Sequence, residues 1–496
     1  MLRTLAFYLP QFHRVPENDQ WWGEGFTDWD AVRHANRLFE GHNQPRVPLH
    51  KNYYDLMKYE TMAWQAELMH KYHIDGMCMY HYWFENGRKI LEKPAQNLLN
   101  WKDILMPFCF CWANESWGRT WKKFIDTNVW MNIDNKKNDI KGNDILLKQI
   151  YGRESDWEKH IQYLLPFFQD DRYIKLEGKP VFVIFKPEII FQLYEMIRYF
   201  DRRVRDNGFQ GIYVIGMESE WQDGLDAICI KQPRYAILEY QKRHGYTPQT
   251  PDIYPYDEIC DIQMETTNGN NKTYFSCVVD HDTTPRMGGG GIVLQDASPD
   301  KFYSCIKKLF EKSMEIENEF LFINAWNEWG EGMYLEPDEK NGYEYLKAVK
   351  KAATECEIEW TKSMKEKDQC IMSLSRHDQL LDKWLILKEQ KINFSLYFNK
   401  YGYKHIAIYG MGKLGKHLQQ ELKDSNVKIV YGIDKNSQKK EASIDVYVPS
   451  QQLPNTDAVV ITILSGYKEV CDLLREYMNC PLISLEEIIQ ELLFEC

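Results

Sequence analysis

The stretch FLFINAWNEWGEG, residues 320–332, joins a buried-strand pattern to two closely spaced carboxylates. It opens with four consecutive apolar residues, which is typical of a strand that is covered on both faces. Glu328 and Glu331 follow, and in a continuing strand two residues three positions apart would point to opposite faces. Gly330 and Gly332 permit the chain to turn at this point. A turn would direct both carboxylates into one cavity.

Two tryptophans in the same stretch offer flat apolar surfaces beside these carboxylates. Trp326 and Trp329 flank Asn327 and Glu328 in the sequence. Carboxylate pairs beside aromatic rings are used in acid–base chemistry on sugars. The alternative is a strand end with two solvated glutamates and two tryptophans in the core. This stretch alone leaves both interpretations open.

Length and composition narrow the class of protein. The chain has 496 residues, which predicts two or three domains, and its 44% hydrophobic content is enough for sizeable cores. It contains 16 Trp and 31 Tyr. That richness suits stacking against sugar rings, although both residue types also fill cores. The net charge of −12 argues against nucleic acid as the main partner and is compatible with neutral glycans.

The cysteines and the hydropathy pattern indicate a cytoplasmic protein. Twelve cysteines are scattered without a CxxC pair or zinc-like spacing, which fits a reducing compartment. The chain starts with a strand pattern rather than a signal-peptide pattern. It contains no run of about 18 apolar residues, so we expect no membrane span.

Eight apolar strands that alternate with helical patterns predict a (β/α)8 barrel with long loop insertions over residues 1–356. An open doubly wound sheet is the competing fold. The predicted strands cover residues 3–9, 76–84, 105–112, 180–185, 212–216, 226–230 or 236–240, 274–280 and 320–323. The predicted helices cover residues 56–72, 156–168, 189–206, 299–316 and 343–355.

Polar and aromatic residues cluster after the strands rather than before them. A barrel would gather those strand ends on one face, where such enzymes place their active sites, and this favours the barrel over the open sheet. Glu218 and Glu220 follow the fifth strand. The candidate substrate-binding residues are Tyr8, His13, Tyr80, His81, Trp112, Asn114, Glu115, Trp326 and Asn327. We expect the loops after strands one, two, three and eight to converge on one pocket.

Several of these candidates also have purely structural explanations. A lone histidine such as His13 or His81 is more often a hydrogen-bond partner in the core, and Asn114 with Glu115 could cap a helix. Residues 280–282, Asp-His-Asp, resemble metal ligands, but no matching spacing supports a metal site and we expect none. The four glycines at 288–291 could hold an anion or form a lid near the site, and we favour the lid.

Five ordered motifs resemble the WbsX-type proteins, which are found with bacterial surface-polysaccharide genes and are usually described as glycosyltransferases. The motifs are YLPQFH at 8–13, WWGEGFTDW at 21–29, YHYWF at 80–84, CWANESWGRTW at 111–121 and NAWNEWGEGMYLEP at 324–337. The chain also resembles glycoside hydrolase family 99, the endo-α-mannosidases and endo-mannanases, which have a (β/α)8 fold. The resemblance covers roughly residues 2–350.

The resemblance implies roles for the two glutamates. Glu328 and Glu331 match the pair that the hydrolase family carries at the end of its last strand. It implies that Glu328 deprotonates the sugar 2-hydroxyl, which attacks the anomeric carbon, and that Glu331 acts as general acid and then general base. Gly330 departs from the histidine that is more usual in the hydrolases. Transfer and hydrolysis both remain open, because the same carboxylates could serve water or a sugar hydroxyl.

Residues 357–398 predict a helical linker, and residues 399–496 a small Rossmann-like domain. A strand at 405–409 precedes Gly410-Met411-Gly412-Lys413-Leu414-Gly415, a helical stretch and a second strand that ends before Asp434. In dinucleotide-type folds this order holds phosphates at the glycine turn. Gly410, Gly412, Gly415 and Asp434 are therefore candidate ligands of a nucleotide or nucleotide sugar. A docking module with an empty site is the alternative.

Three functions are consistent with these patterns. The first is glycosyl transfer in bacterial cell-surface polysaccharide (O-antigen or capsule) biosynthesis, with an oligosaccharide or polysaccharide substrate and other assembly enzymes as partners. The second is an endo-acting glycoside hydrolase that acts on a mannose-containing glycan. The third is an inactive glycan-binding scaffold, which the presence of both Glu328 and Glu331 disfavours. We expect the barrel chemistry to need no cofactor.

Overall fold

The computed structural model describes residues 2–118, 145–217, 221–230, 232–265, 272–435, 444–450 and 453–494. It divides the chain into two compact units, Met1–Glu359 and Trp360–Cys496. Glu218 and Glu220, which the sequence places after the fifth strand, lie outside the described residues, as does the end of the motif at 111–121.

The first unit is a parallel barrel, which confirms the predicted (β/α)8 fold. Its strands run in the order of the chain, and the first strand pairs with both the second and the last. The seventh strand is in two pieces that flank Phe275: the first piece pairs with the sixth strand and the second with the eighth. The strands are Arg3–Tyr8, Gly76–Trp83, Phe108–Trp112, Lys179–Ile184, Tyr213–Gly216, Ala227–Cys229, Thr273–Tyr274 with Ser276–Val278, and Phe320–Asn324.

The barrel strands are buried because helices cover their outer face. Residues 320–324 are buried throughout, as the uninterrupted apolar run at 320–323 predicts. Cys78, Cys109, Cys111 and Cys277 pack in this core as free thiols. The helices of the first unit are Pro16–Trp22, Asp28–Arg33, Tyr59–Lys71, Lys93–Asn100, Glu154–Phe168, Leu193–Asp206, Arg234–His244, Tyr256–Glu265, Thr284–Met287 and Pro299–Glu315.

Two sequence predictions differ from the observed elements. Residues 236–240, the second option for strand six, lie in the helix Arg234–His244, because a short apolar run has no period that separates strand from helix. The helix predicted at 343–355 extends over Glu344–Glu389. Neither glycine nor proline interrupts that stretch, so the sequence contains no local stop signal. The predicted domain boundaries at 356 and 398 stay predictions.

Short elements occupy the connections of the barrel. The two-residue to four-residue strands are Lys89–Ile90, Trp117–Gly118, Ile145–Leu147, Lys175–Leu176, Asp252–Pro255, Ile292–Gln295, Asn327–Glu328 and Met333–Tyr334. Single 3-10 turns cover Leu49–Lys51, Glu85–Gly87, Pro187–Ile189, Gly288–Gly290 and Trp329–Glu331. The glycine run predicted as a lid is therefore a 3-10 turn that leads into Ile292–Gln295, and its role as a lid stays a prediction.

The second unit contains a five-stranded parallel sheet with helices on both faces. Its strands are His405–Tyr409, Lys428–Ile433, Val446–Tyr447, Ala458–Ile461 and Leu482–Ser484, in the spatial order third, second, first, fourth, fifth. Its helices are Ser395–Lys400, Lys413–Glu421, Tyr467–Arg475 and Leu485–Phe494. Ile406 and Ile408 pack in one core and Ala407 and Tyr409 in another, so both faces of the sheet are buried. This strand order is that of a doubly wound sheet.

Within the described residues, none of the helices is both long enough and apolar enough to cross a membrane.

Candidate active site

The two glutamates lie on a tight hairpin that follows the last barrel strand. Asn327–Glu328 pairs antiparallel with Met333–Tyr334, and Trp329–Glu331 forms the turn between them. Gly332 closes the turn with a φ of 67°, a left-handed conformation that glycine adopts without strain. The backbone N–H of Asp282 donates to the carbonyl of Glu331 over 2.7 Å and anchors the hairpin.

One arginine connects the two carboxylates. Nη2 of Arg286 donates to Oε1 of Glu328, and Nη1 donates to Oε1 of Glu331, each over 2.6 Å. Arg286 lies in the short helix Thr284–Met287, and its side chain is about nine-tenths buried, at 11% exposed. The turn therefore directs both glutamates to one point.

A third carboxylate also binds the arginine. Asp28, the first residue of the helix Asp28–Arg33, accepts from Nη2 of Arg286 over 3.0 Å and from Nε over 3.3 Å. The Asp28 side chain is fully buried. We call Asp28, Arg286, Glu328 and Glu331 the carboxylate–arginine cluster.

The cluster has more negative than positive charge when all its groups are ionised. Burial raises the pKa of Glu328 to about 8; Arg286 opposes that shift, while Glu331 and Asp28 add to it. Burial also raises the pKa of Asp28. One guanidinium does not neutralise three carboxylates, so retaining a proton on Glu328 lowers the electrostatic cost of the buried cluster.

Gly330 leaves room for this arrangement. A Cβ atom at position 330 would lie 2.5 Å from Nε of Arg286 and 2.8 Å from Oδ2 of Asp28. Both distances are shorter than van der Waals contact. The arginine and the aspartate therefore occupy the space that a side chain at 330 would take.

A second buried carboxylate supports the hairpin from behind. Glu336 accepts hydrogen bonds from Trp326 Nε1 (2.9 Å), Trp329 Nε1 (2.7 Å), Gln65 Nε2 (2.7 Å) and Tyr54 Oη (2.8 Å). Burial raises its pKa to about 7, and the four donors oppose that shift. Trp326 and Trp329 are almost fully buried. They hold Glu336 through their ring N–H groups, and Trp329 also lines a cavity on that side of the hairpin.

Tyr8 and Asn327 belong to the same buried layer. Tyr8 donates from its hydroxyl to Oε1 of Gln65 over 2.8 Å. Asn327 accepts from the backbone N–H of Leu9 over 2.7 Å and donates to the carbonyl of Leu9 over 3.0 Å. These bonds join the hairpin to the end of the first strand. Both residues are fully buried and position the hairpin.

The second strand presents alternate residues to opposite faces. Burial is the largest cause of the raised pKa of Tyr80 and of Tyr82, and the charge of Glu328 adds to it in both. These tyrosines therefore lie on the side of the glutamates. His81 lies on the other face, where its Nε2 is 2.9 Å from Nε2 of His160 in the helix Glu154–Phe168. The structure thus brings Tyr80 to the cluster but not His81.

Trp112 shares the outward position of His81. The two residues are partners in the parallel register of strands two and three. The Trp112 ring lies 4.9 Å from the ring of His160, and its Nε1 donates to the carbonyl of Trp83 over 3.1 Å. Both predicted sugar contacts therefore pack between strands and helix, because a period of two sends neighbouring residues to opposite faces.

Asn114 and Glu115 connect the ends of the third and fourth strands. Asn114 accepts from the backbone N–H of Lys186 over 2.8 Å and donates to its carbonyl over 2.7 Å. Glu115 forms an ion pair with the Lys186 side chain. Asn114 is fully buried, whereas Glu115 remains about one-third exposed. Asn114 is thus a structural clamp, and a sugar contact of Glu115 stays a prediction.

His13 lies in the loop that follows the first strand. Its side chain is buried, and burial lowers its pKa, so the ring is neutral at pH 7. In the same loop Gln11 is also buried, and its Nε2 is 3.4 Å from Tyr82 Oη. This contact links the loop to the tyrosine side of the cluster.

The Asp-His-Asp run at 280–282 is held by protein side chains. Oδ2 of Asp282 lies 2.9 Å from Nε2 of His42 and accepts from Nε2 of Gln44 over 2.7 Å. Oδ2 of Asp280 accepts from Nη1 of Arg46 over 2.8 Å. Within the described residues, no group of three or more potential ligands could hold a metal ion.

A cavity of about 400 Å³ borders the back of the hairpin. Its walls include Trp64, Tyr54 and Tyr343 together with Glu336 and Trp329. Neither Glu328 nor Glu331 lines it, so it is separate from the carboxylate–arginine cluster.

Sequence reasoning missed Arg286, Asp28 and Glu336. Asp28 and Glu336 lie inside the motifs at 21–29 and 324–337, so the motifs contained a signal for both. Arg286 is a single arginine beside a glycine run, and its contacts are 42 and 258 residues away in the sequence. Local pattern offers no signal for such a contact.

Comparisons with known proteins cover the barrel unit. A model of the family described as glycosyltransferase WbsX matches residues 4–349. A Xanthomonas campestris pv. campestris protein named "Uncharacterized protein WxcX", found in strains B100 and ATCC 33913, is 31% identical over 361 residues. That alignment covers 71% of this chain and 49% of the relative, so the chain spans about half the length of the curated relatives it matches.

The comparison with solved structures finds glycoside hydrolases. The GH99 endo-alpha-mannosidase from Bacteroides thetaiotaomicron is 14% identical, with a TM-score of 0.43, over 72% of this chain and 98% of that one. A protein described as "Glycoside hydrolase-like protein" is also 14% identical, with a TM-score of 0.43, over 71% of this chain and 93% of that one. The match covers most of the barrel, and all five motifs lie within the matched residues, so this chain belongs to the glycosyltransferase WbsX family.

Proposed function

We propose that the barrel unit is a carbohydrate-active enzyme that transfers glycosyl groups at an anomeric carbon. One observation carries the proposal: a single hairpin turn directs Glu328 and Glu331 to the same guanidinium, from which each carboxylate accepts a hydrogen bond through its Oε1. Oε2 of each glutamate is a second acceptor that can meet a substrate hydroxyl. Two carboxylates at one point are what acid–base chemistry on a glycosidic bond requires.

The two glutamates have different surroundings, which suits them to different roles. Glu328 is the more buried, and a pKa of about 8 makes its carboxylate a stronger base than an ordinary glutamate. In this proposal Glu328 removes the proton of the sugar 2-hydroxyl, whose oxygen attacks the anomeric carbon as the bond to the leaving oxygen breaks. Glu328 returns the proton to the 2-oxygen when the acceptor bonds to the anomeric carbon. Glu331, at 15% side-chain exposure, protonates the leaving oxygen and then deprotonates the acceptor.

The biological setting is part of the same proposal. Membership of the WbsX family supports glycosyl transfer in the synthesis of a bacterial surface polysaccharide such as O-antigen or capsule. Cytoplasmic location and association with other assembly enzymes belong to this proposal, and cell fractionation and co-purification test them.

The second unit is proposed to bind a nucleotide or nucleotide sugar at its glycine turn. Gly410 has a φ of 94°, and a Cβ at Gly415 would lie 2.3 Å from the carbonyl oxygen of Gly410, so both positions need glycine. A Cβ at Gly412 would meet no atom within 4 Å, so a phosphate can approach the backbone at the start of the helix Lys413–Glu421. Asp434 accepts from the backbone N–H of Met411 over 3.1 Å and orders the turn.

The test is to supply glycan donors and nucleotide-sugar donors in separate reactions and to analyse the products by mass spectrometry. The protein is incubated with mannose-containing oligosaccharides plus an acceptor glycan, and separately with nucleotide sugars plus the same acceptor. A lengthened acceptor that the Glu328→Gln variant does not form supports transfer. A released reducing sugar with an unchanged acceptor identifies a hydrolase, and no product with either donor contradicts catalysis.

A further inference from the structure

We propose that Arg286, anchored by Asp28, is a positioning residue that sets the geometry and the charge of the Glu328–Glu331 pair, and that position 330 is glycine so that Arg286 can reach them. The inference rests on the proposed function of the two glutamates. It assigns no contact with substrate to Arg286 itself.

The geometry of the arginine supports a positioning role. The two Nη atoms bind one glutamate each at 2.6 Å, so the planar guanidinium fixes the separation of the two Oε1 atoms. Asp28 binds the Nε and Nη2 edge of the same plane and prevents it from rotating. A lysine could offer the charge here but not four directed bonds in one plane.

The burial of the cluster makes this arrangement energetically significant. The side chains of Asp28, Glu328, Glu331 and Arg286 are 0%, 8%, 15% and 11% exposed. Solvent screening is weak at this depth, so the loss of one charge changes the others strongly. Arg286 and Asp28 should therefore act on Glu328 in opposite directions.

Three titratable side chains of the described residues also approach the pair. Tyr80 and Tyr82 approach from the second strand, and burial keeps both protonated near pH 7. His281 lies near Glu331, and burial lowers the pKa of His281, so its ring is neutral near pH 7. Among the described residues, Arg286 is thus the cation that faces Glu328, and Asp28 and Glu331 are the anions.

The test is a pH titration of Glu328 that needs no substrate. The carboxyl stretching band is followed by infrared difference spectroscopy, and Glu328 is assigned by subtraction of the Glu328→Gln spectrum. We expect Arg286→Met to raise the Glu328 midpoint by about one pH unit or more, because a cation is lost. We expect Asp28→Asn to lower it, because an anion is lost.

Two further variants separate charge from geometry. Arg286→Lys keeps the cation, so the Glu328 midpoint should stay close to that of the wild type while turnover falls by roughly 100-fold through misplacement. Gly330→Ala should displace the guanidinium and shift the midpoint in the same direction as Arg286→Met. Arg203→Met, which breaks an arginine–glutamate pair between two outer helices, is the matched control and should leave the midpoint unchanged.

The outcomes distinguish this inference from the proposed function. Unchanged Glu328 midpoints in both Arg286→Met and Asp28→Asn overturn the positioning role, even if Glu328→Gln is inactive. Full turnover of Arg286→Lys likewise overturns the requirement for the planar guanidinium of Arg286. Full turnover of Glu328→Gln overturns the proposed function instead, whatever the titrations show. Circular dichroism of each variant confirms that the fold is retained.

Discussion

Glu328 and Glu331 differ in their surroundings, and substitution can separate their roles. Glu328→Gln and Glu331→Gln should each reduce turnover by roughly 100-fold or more, because a positioned acid or base contributes 10²–10⁴-fold. If Glu331 is the general acid, an activated aryl glycoside should rescue Glu331→Gln, since its leaving group needs no proton. Glu328→Gln should not be rescued. Turnover is measured on both substrates, and normal rates for both variants contradict the assignment.

The raised pKa of Glu328 predicts a pH dependence of kcat/KM. With a pKa of about 8, Glu328 is largely protonated at pH 6 and ionised at pH 9. As a base it must be ionised, so the rate should rise with pH and level off above about 8. A rate that falls through the same range would instead make Glu328 the acid. Conformational stability should decrease as the pH rises from about 4.5 to 8, because the folded state binds the proton more tightly.

At the scale of elements, the hairpin depends on Gly332. Its φ is 67°, and a Cβ there would lie 2.9 Å from the backbone nitrogen of Asp282. Gly332→Ala should therefore destabilise the protein by about 1 kcal/mol for the left-handed backbone and more for the clash. Urea unfolding measures this loss.

Gly342→Ala is the matched control for that substitution. Gly342 also has a positive φ, 56°, but a Cβ there meets no atom within 4 Å. Gly342→Ala should therefore lose only the stability that the left-handed backbone conformation costs. Equal losses of stability in the two variants would mean that a Cβ at position 332 does not clash with the backbone of Asp282.

At the scale of the whole molecule, each unit has its own core, so their functions should be separable. Gly412→Val in the full chain should abolish nucleotide binding, because a side chain would block the approach of phosphates to the backbone. Calorimetry with nucleotides and nucleotide sugars measures this. Turnover of simple substrates by the barrel should stay close to that of the wild type. Asp434→Ala should also leave this turnover close to that of the wild type. If the wild-type protein binds no nucleotide, the proposed nucleotide site is contradicted.

Local pattern predicted the barrel and permitted a turn that brings Glu328 and Glu331 together. The apolar runs of strands such as residues 320–323, and the turn permitted by Gly330 and Gly332, depend on neighbours in the chain. Backbone geometry imposes periods of 2 residues on strands and 3.6 residues on helices, so both produce recognisable apolar patterns in the sequence. The ambiguous run at 236–240 was too short to show either period.

Tertiary structure alone assigned faces and partners. His81 and Trp112 lie near the ends of their strands, as Tyr80 does, but their side chains point to the outer face of the barrel. The sequence does not show which alternate set of strand residues faces the barrel interior. Arg286 meets Glu328 across 42 residues and Asp28 across 258. Contacts at such separations depend on how the strands and loops close in space, so no local periodicity records them.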